Sequence, residues 1–298
     1  MTNYSESWEI SDHGADQSVV INGPYQGWTL ARLVAEEGKA LLGKQDGVSQ
    51  FPLLFKFLDT TDRLSVQVHP NDVQAQQFNA KENGKTEVGV IIHAEPDSQL
   101  YVGLKSNVDR TLLEKCLAEG TIEQCLHGFP VVGGECVFIP AGTVHAIGKG
   151  ILLAEVQQSS DLTFRLYDWG RVGTDGKPRQ LHIEQALSCI NFDCGPVDPV
   201  ASDVVWQGNT TLRTGYTAEE LVRSQYFTLR RHSGDSTFVF CDRERFHVLM
   251  MLDGQASLHC DGEVIELQQG HSILLPADAP QAQVVPDGMV WILEIFVP

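Results

Sequence analysis

Gln67, His69, Glu87 and His145 bring nitrogen and oxygen donors from three separate segments of the chain. In Leu64-Ser-Val-Gln-Val-His69 the apolar residues Leu64, Val66 and Val68 alternate with Ser65, Gln67 and His69. A strand turns successive side chains to opposite faces, so Gln67 and His69 project together, one pleat apart. Lys85 and Glu87 share a face in the same way, and His145 closes the Pro140-Ala-Gly-Thr-Val-His turn. Two imidazoles, a carboxylate and an amide oxygen suit a borderline divalent ion such as zinc, with a coordination position left for substrate. A lone histidine on a strand is ordinarily a packed core residue. Here the polar face runs in register with an apolar one and donors recur in separate strands, which favours the metal.

Placing these donors requires β structure. Short alternating runs predict strands over 52–69, 86–93, 135–139, 151–157 and 162–167. Glu155 then shares a strand face with Leu153 and Gln157. Helical spacing predicts helices over 29–37, 73–79, 109–118, 122–126 and 181–189, with Asp109 or Thr111 as N-cap and Gly120 past the end of the third. The helices near 107–127 read as an insertion packed on the β framework. Residues 194–202 hold two prolines and a glycine and read as a linker between domains at 1–193 and 203–298. The second domain repeats short strands at the spacing of a small barrel or sandwich, at 227–231, 238–240, 246–252, 256–260, 263–267, 272–275 and 290–296. Gly270–Gln281 aligns without gaps on Gly134–His145 and places Gln281 where the first copy has His145. The later domain therefore reads as a copy of the fold without its metal. Histidines 13, 93, 127, 182, 232, 247, 259 and 271 show no second ligand constellation in the sequence.

Composition bounds the function. At 298 residues, with 42% hydrophobic and 20% charged residues, the chain reads as an ordinary globular protein large enough for two cores. Its formal charge of −18 opposes nucleic acid and anionic membranes, since binding either begins with cations on phosphates. Seven cysteines without a CxxC pair fit free thiols better than a disulfide framework. No segment resembles a signal peptide and no apolar run approaches a membrane span, so a cytoplasmic protein is the expectation.

The pattern Gly134-x5-Pro140-x-Gly142-x2-His145-x2-Gly148 resembles the second motif of the cupin superfamily. A fuller set narrows the likeness: Phe51-Pro-Leu-Leu-Phe-Lys-Phe-Leu-Asp59, Leu64-Ser-Val-Gln-Val-His-Pro-Asn-Asp72, Gly84-Lys-Thr-Glu87, Pro140–Ala146, Glu155–Asp161 and Arg165-Leu-Tyr-Asp-Trp-Gly-Arg171. Together they resemble the type I mannose-6-phosphate isomerases in their short bacterial form, over most of residues 1–190. The resemblance implies a mainly β fold of two cupin-like jelly-roll barrels, with a small helical insertion in the first. It implies one zinc ion per chain on Gln67, His69, Glu87 and His145, and a phosphosugar substrate. It places Arg165, Lys85 and Glu155 in catalysis and Lys85, Arg165 and Asp161 at the substrate.

Elementary chemistry asks for the same cast. Aldose–ketose isomerisation moves a proton between C1 and C2 through an enediolate, so it needs a base and cations where charge develops. An open-sited zinc acts as a Lewis acid on the carbonyl, and a guanidinium makes paired hydrogen bonds to enediolate or phosphate. Glu155, Lys85 and a zinc-bound hydroxide all qualify as the base. Arg165 and Arg171 have an alternative role, as ion-pair partners of the acidic groups around Asp161 and Asp168. Two other functions fit such a barrel. Oxygenase cupins present His-x-His to a redox metal, whereas Gln67 stands at the first position here. A non-catalytic sugar-binding cupin would not need Lys85, Glu155 and Arg165 beside a full ligand set.

Overall fold

The alternation that separates Gln67 and His69 from Val66 and Val68 determines how the first half of the molecule is layered. In the computed structural model, which describes residues 6–79, 81–172, 176–201, 203–207, 215–240, 242 and 244–298, Val66 and Val68 are fully buried beneath helices. They pack with Leu113 and Cys116 of the helix Arg110–Glu119 and with Ala186 and Leu187 of the helix Ile183–Cys189. The first of these helices starts where the Asp109 carboxylate accepts the Leu112 N–H at 2.8 Å, and it ends at left-handed Gly120. The opposite face of the same strands is left for the polar donors.

The chain forms two compact units. The first comprises Met1–Trp8 and Leu53–Pro199, the second Glu9–Pro52 and Val200–Pro298. Two five-stranded sheets build the first unit. One runs Glu6–Ile10, Leu53–Thr60, Ile151–Gln158, Glu87–Ala94, Cys136–Ile139, and the other Phe164–Tyr167, Val66–Val68, His145–Ile147, Gln99–Leu104, Leu126–Pro130. Leu58, Ile91 and Leu153 from one sheet meet Leu100, Val102 and Ile147 from the other in a shared apolar core. Along Ile151–Gln158 the same strand face carries Ile151, Leu153, Glu155 and then Gln157, all buried, so the interior changes from apolar to polar along one strand.

The second unit has a six-stranded sheet, in the order Asp203–Gln207, Tyr216–Arg223, Thr228–Gly234, Val290–Phe296, His247–Asp253, Ser272–Leu275. It also has a four-stranded sheet, Phe238–Phe240, Ala282–Pro286, Gln255–Cys260, Glu263–Gln268. The repeat noted in the sequence has a structural counterpart. Gly134 (φ 94°) and Gly270 (φ 86°) precede strands Cys136–Ile139 and Ser272–Leu275, but His145 is buried whereas Gln281 is exposed.

Several local expectations need correction. Residues 9–52 were expected within the first domain and pack instead in the second unit. Their apolar groups find partners far away in sequence: Phe51 sits 4.7 Å from Phe246, and the Ala277 and Asp278 amides donate to the carbonyls of Leu41 and Ala40 at 2.9 and 3.0 Å. The helical segment there runs Leu30–Leu42, but its backbone leaves helical geometry at Glu37 (φ −124°, ψ 24°), where the expected helix ends; a further turn beyond that kink buries Leu41 and Leu42. The helix expected over 122–126 is a single 3-10 turn, Ile122–Gln124, followed directly by strand Leu126–Pro130. Strands Gln99–Leu104, Tyr216–Arg223 and Ala282–Pro286 were not anticipated. Thr174 and Asp175 of the expected turn, Ser202 at the end of the linker, and Cys241 lie outside the described residues, as do residues 1–5. The six described cysteines are free thiols, and no helix among the described residues is long and apolar enough to cross a membrane.

Gly43 makes one of these contacts possible. Its φ is +60°, and a Cβ there would lie 2.2 Å from the backbone oxygen of Glu244. Gly43→Ala combines backbone strain with a clash against main chain, and is expected to destabilise the second unit by roughly 1–3 kcal/mol. A urea titration checks this. An unchanged midpoint would mean that the two segments do not meet as described.

Candidate metal centre and active site

Strand register brings the donors together. His145 pairs with Gln67 on one side of the Val66–Val68 strand, and Arg165 pairs with Gln67 on the other. Residues directly opposite one another in a sheet share a face, so Arg165, Gln67 and His145 form a row across three strands, with His69 one pleat farther on. From the other sheet, Gln157 pairs with Glu87 and Glu155 pairs with Lys56. The turn before His145 is tied down locally. Gly142 adopts φ +88°, which suits glycine, and its N–H donates to the His69 carbonyl at 2.8 Å.

One donor atom each from His69, Glu87 and His145 lies within 4.8 Å of the others, and all three residues are buried. His145 Nε2 is 3.1 Å from Glu87 Oε1, and His69 Nε2 is 3.4 Å from Glu87 Oε2. The second of these is an ion-pair distance without hydrogen-bond alignment, since His69 Nε2 and Glu87 Oε2 have no hydrogen-bond partner despite their burial. The far nitrogens are satisfied: His69 Nδ1 donates to the Leu162 carbonyl at 2.8 Å, and His145 Nδ1 to that of Thr143 at 2.9 Å. That arrangement fixes the tautomers with both Nε2 lone pairs turned toward Glu87, as metal-binding imidazoles require. Burial, and then the Lys85 ammonium, push the His69 pKa well below its usual value, so the ring is neutral. Burial alone would raise the Glu87 pKa, but the charge of the adjoining Lys85 ammonium carries it well below the carboxylate range. A neutral imidazole, an ionised carboxylate and orphaned buried lone pairs fit a divalent cation with N/O preference, and zinc fits this donor set. The Gln67 amide Nε2 donates to His145 Nε2 at 3.2 Å, at the edge of the cluster, so rotation of the amide would be needed to turn its oxygen to a metal.

A polar wall adjoins the donors. Lys85 is 5% exposed, not a solvated lysine, and its Nζ lies 3.2 Å from Glu87 Oε2. Burial opposes its charge, but Glu87 and Glu155 outweigh burial and raise its pKa. Glu155 is buried with Oε1 unpartnered, and burial followed by the Glu87 charge raises its pKa. Lys56 was not singled out in the sequence. It is buried opposite Glu155, with Nζ 3.7 Å from Glu6 and 4.5 Å from the centroid of the Trp8 ring. Its neighbours in Leu53-Leu-Phe-Lys-Phe-Leu58 are apolar on both sides, so no alternation marks it.

Arg165 and Asp161 stand at the rim. Asp161 is exposed, and its charge acts on Lys85. Arg165 Nη1 donates to the Gln180 carbonyl at 2.9 Å, while its buried Nε has no partner. Of the two arginines given a structural alternative, Arg171 takes Asp168, which it shares with Arg179. Arg171 also reaches Asp62 at 3.3 Å, so its role is structural. Trp169 is partly buried and packs against the core, with its indole N–H on the Leu64 carbonyl at 2.6 Å.

The sequence and the fold have known counterparts. The profile of the phosphomannose isomerase type I catalytic domain matches residues 1–97, and that of the mannose-6-phosphate isomerase cupin domain matches residues 217–292. The mannose-6-phosphate isomerase of Streptococcus mutans is 35% identical over 271 residues, covering 91% of this chain and 82% of that protein. The mannose-6-phosphate isomerase ManA of Bacillus subtilis is 34% identical over 271 residues, covering 91% and 83%. The crystal structure of the mannose 6-phosphate isomerase from Bacillus subtilis superposes with a TM-score of 0.86 at 29% identity, covering 98% of this chain and 89% of that one.

Proposed function

Because the chain belongs to the type I mannose-6-phosphate isomerase family, we propose that it interconverts mannose 6-phosphate and fructose 6-phosphate, with one zinc ion on His69, Glu87 and His145 and Gln67 as fourth donor. The observation that supports this most is the pair of buried, unpartnered donor atoms on His69 and Glu87 beside a wall holding Lys85 and Glu155. Bound zinc supplies a Lewis acid beside the sugar oxygens, where negative charge develops. Glu155 moves the proton between C1 and C2: it is a buried carboxylate whose Oε1 has no hydrogen-bond partner. Lys85 keeps its ammonium on Glu87 and donates to a sugar oxygen as the enediolate forms. Lys56 balances the charge of Glu155 from the paired strand. Arg165 and Asp161 engage the far end of the phosphosugar from the rim. Each unit is read as a cupin-like barrel, the second without metal, and the free thiols suit a reducing cytoplasm.

The test is turnover of mannose 6-phosphate against other phosphosugars, with zinc content measured on the same sample. Isomerisation of mannose 6-phosphate with about one zinc per chain is expected. Absence of turnover on any aldose phosphate would sink the proposal, whatever the metal content.

Arg165 separates two ways of helping. If its guanidinium faces the developing charge, Arg165→Ala lowers kcat by roughly 10²–10³, the scale of losing one preorganised donor. If it holds the phosphate equally in ground and transition states, KM rises and kcat stays nearly constant. Lysine is expected to rescue poorly, because a point charge does not reproduce the planar fork. Wild-type kcat and KM in the alanine variant would remove Arg165 from the site.

A further inference from the structure

The second unit contains a polar pocket that the isomerase reading does not use. Register builds it: Glu294 pairs with Arg230 on one side and with Leu249 on the other. Arg230, His232, Glu294 and His247 therefore share the sheet face that carries the buried Leu249 and Met251. Glu294 is 3% exposed and lies between two imidazoles, with His232 Nε2 at 2.9 Å and His247 Nδ1 at 2.8 Å. Burial pushes the Glu294 carboxyl up, but these contacts carry its pKa down to about 2, so it is ionised. His232 is held from its other side by the Tyr216 hydroxyl. His247 is 7% exposed and engaged on one side only: Nδ1 faces Glu294, while Nε2 lies 3.9 Å from Asp242, beyond hydrogen-bond reach. Arg245 spends Nη1 on Asp242 at 2.8 Å, yet its buried Nε is also without a partner.

These groups line a cavity of about 640 Å³ that also presents the aromatic rings of Tyr216, Phe238, Phe240 and Phe296. Phe238 lies 4.8 Å from Tyr216 and 5.4 Å from His232, nearly parallel to both, and Phe296 lies under the Arg230 guanidinium at 4.9 Å. The donors do not make a metal site. Among the described residues, only His69, Glu87 and His145 gather ligand atoms closely enough for that.

We propose that this cavity is a second ligand site, which takes a small polyhydroxylated molecule bearing one oxyanion, a phosphorylated sugar or a sugar acid. The unspent Arg245 Nε–H and the Nε2–H of His247, whose Nδ1 faces Glu294, meet the oxyanion, as guanidinium and imidazole donors do. Glu294 and Asp242 accept from hydroxyl groups. The rings of Phe238 and Phe240 cover the C–H face of the sugar. The volume falls within the roughly 300–1,000 Å³ of small-molecule sites.

The test follows the imidazole resonances of the full-length, zinc-loaded chain labelled with 15N at histidine. It is titrated with inorganic phosphate, glucose 6-phosphate and gluconate in separate arms. The His232 and His247 signals are expected to move with glucose 6-phosphate and only weakly with phosphate alone. Movement with gluconate and not with the phosphosugar would identify a sugar acid as the source of the same chemistry. In Arg245→Gln, read on the His232 signal, binding is expected to weaken about tenfold or more, as for loss of a charged hydrogen bond. Signals unmoved by all three ligands at millimolar concentration overturn the proposal, as does unchanged affinity in Arg245→Gln. If that variant does not fold, the wild-type titration remains decisive, and His247→Gln read on His232 replaces the comparison. His69 and His145 report the first site separately, so failure of the isomerase reading would be visible on its own.

Discussion

Replacing His145 with alanine is expected to leave the protein without bound zinc and without measurable isomerase turnover. His145 is almost completely buried, and its Nδ1 is committed to the Thr143 carbonyl, so Nε2 is its only group facing the cluster. Deleting it leaves one imidazole, one carboxylate and an amide. Loss of a mere outer hydrogen bond to a metal ligand already costs roughly 10–100-fold in affinity. Loss of the ligand itself is expected to cost more, enough for zinc to be lost on dialysis. His145→Cys offers a thiolate, which zinc accepts, and is expected to retain part of the metal. Elemental analysis of both variants, with thermal unfolding in parallel, distinguishes a lost ligand from a lost fold. A full zinc complement in the alanine variant would mean that the ion is bound elsewhere.

How much of this was legible in the sequence depends on the range of the information. The separation of Gln67 and His69 from Val66 and Val68 is a period-two pattern over six residues, and the structure places the valines under helices, His69 beside Glu87 and Gln67 beside His145. Helix ends were equally local: Asp109 and Gly120 bound Arg110–Glu119 by a side-chain cap and a left-handed residue. What failed was information carried by partners far along the chain. Nothing within residues 9–52 announces that Phe51 meets Phe246 or that Leu41 accepts from Ala277. His145–Ile147 is too short a strand to show a period, and its place is set by Gln67 and Val102 on either side. The cluster of His232, His247 and Glu294 was missed for the same reason. Its members lie on three different strands and become neighbours only through register. Asp168 shows the converse, since its partner Arg179 lies eleven residues on, across a loop with no periodicity.

Glu155→Gln is expected to keep the zinc and lose the chemistry. The substitution preserves shape and hydrogen-bonding capacity but removes the one property a proton acceptor needs, so kcat is expected to fall by roughly 10²–10⁴. Zinc content is expected to remain near wild type, because Glu155 is not among the three gathered donors. The pH profile gives a second, independent readout. A general base works only when unprotonated, so activity is lost as pH falls through its pKa. Burial, and then the neighbouring Glu87 charge, raise the Glu155 pKa above the ordinary 4.5. The acid limb of kcat/KM is therefore expected above that value, and whatever activity remains in Glu155→Gln is expected to lack it. If the variant retains both the limb and the rate, another group moves the proton, and Lys85 or a metal-bound hydroxide becomes the candidate. If zinc is lost as well, Glu155 supports the metal centre rather than the proton transfer. The combination of retained zinc, reduced kcat and a missing acid limb is the outcome that a merely structural carboxylate would not produce.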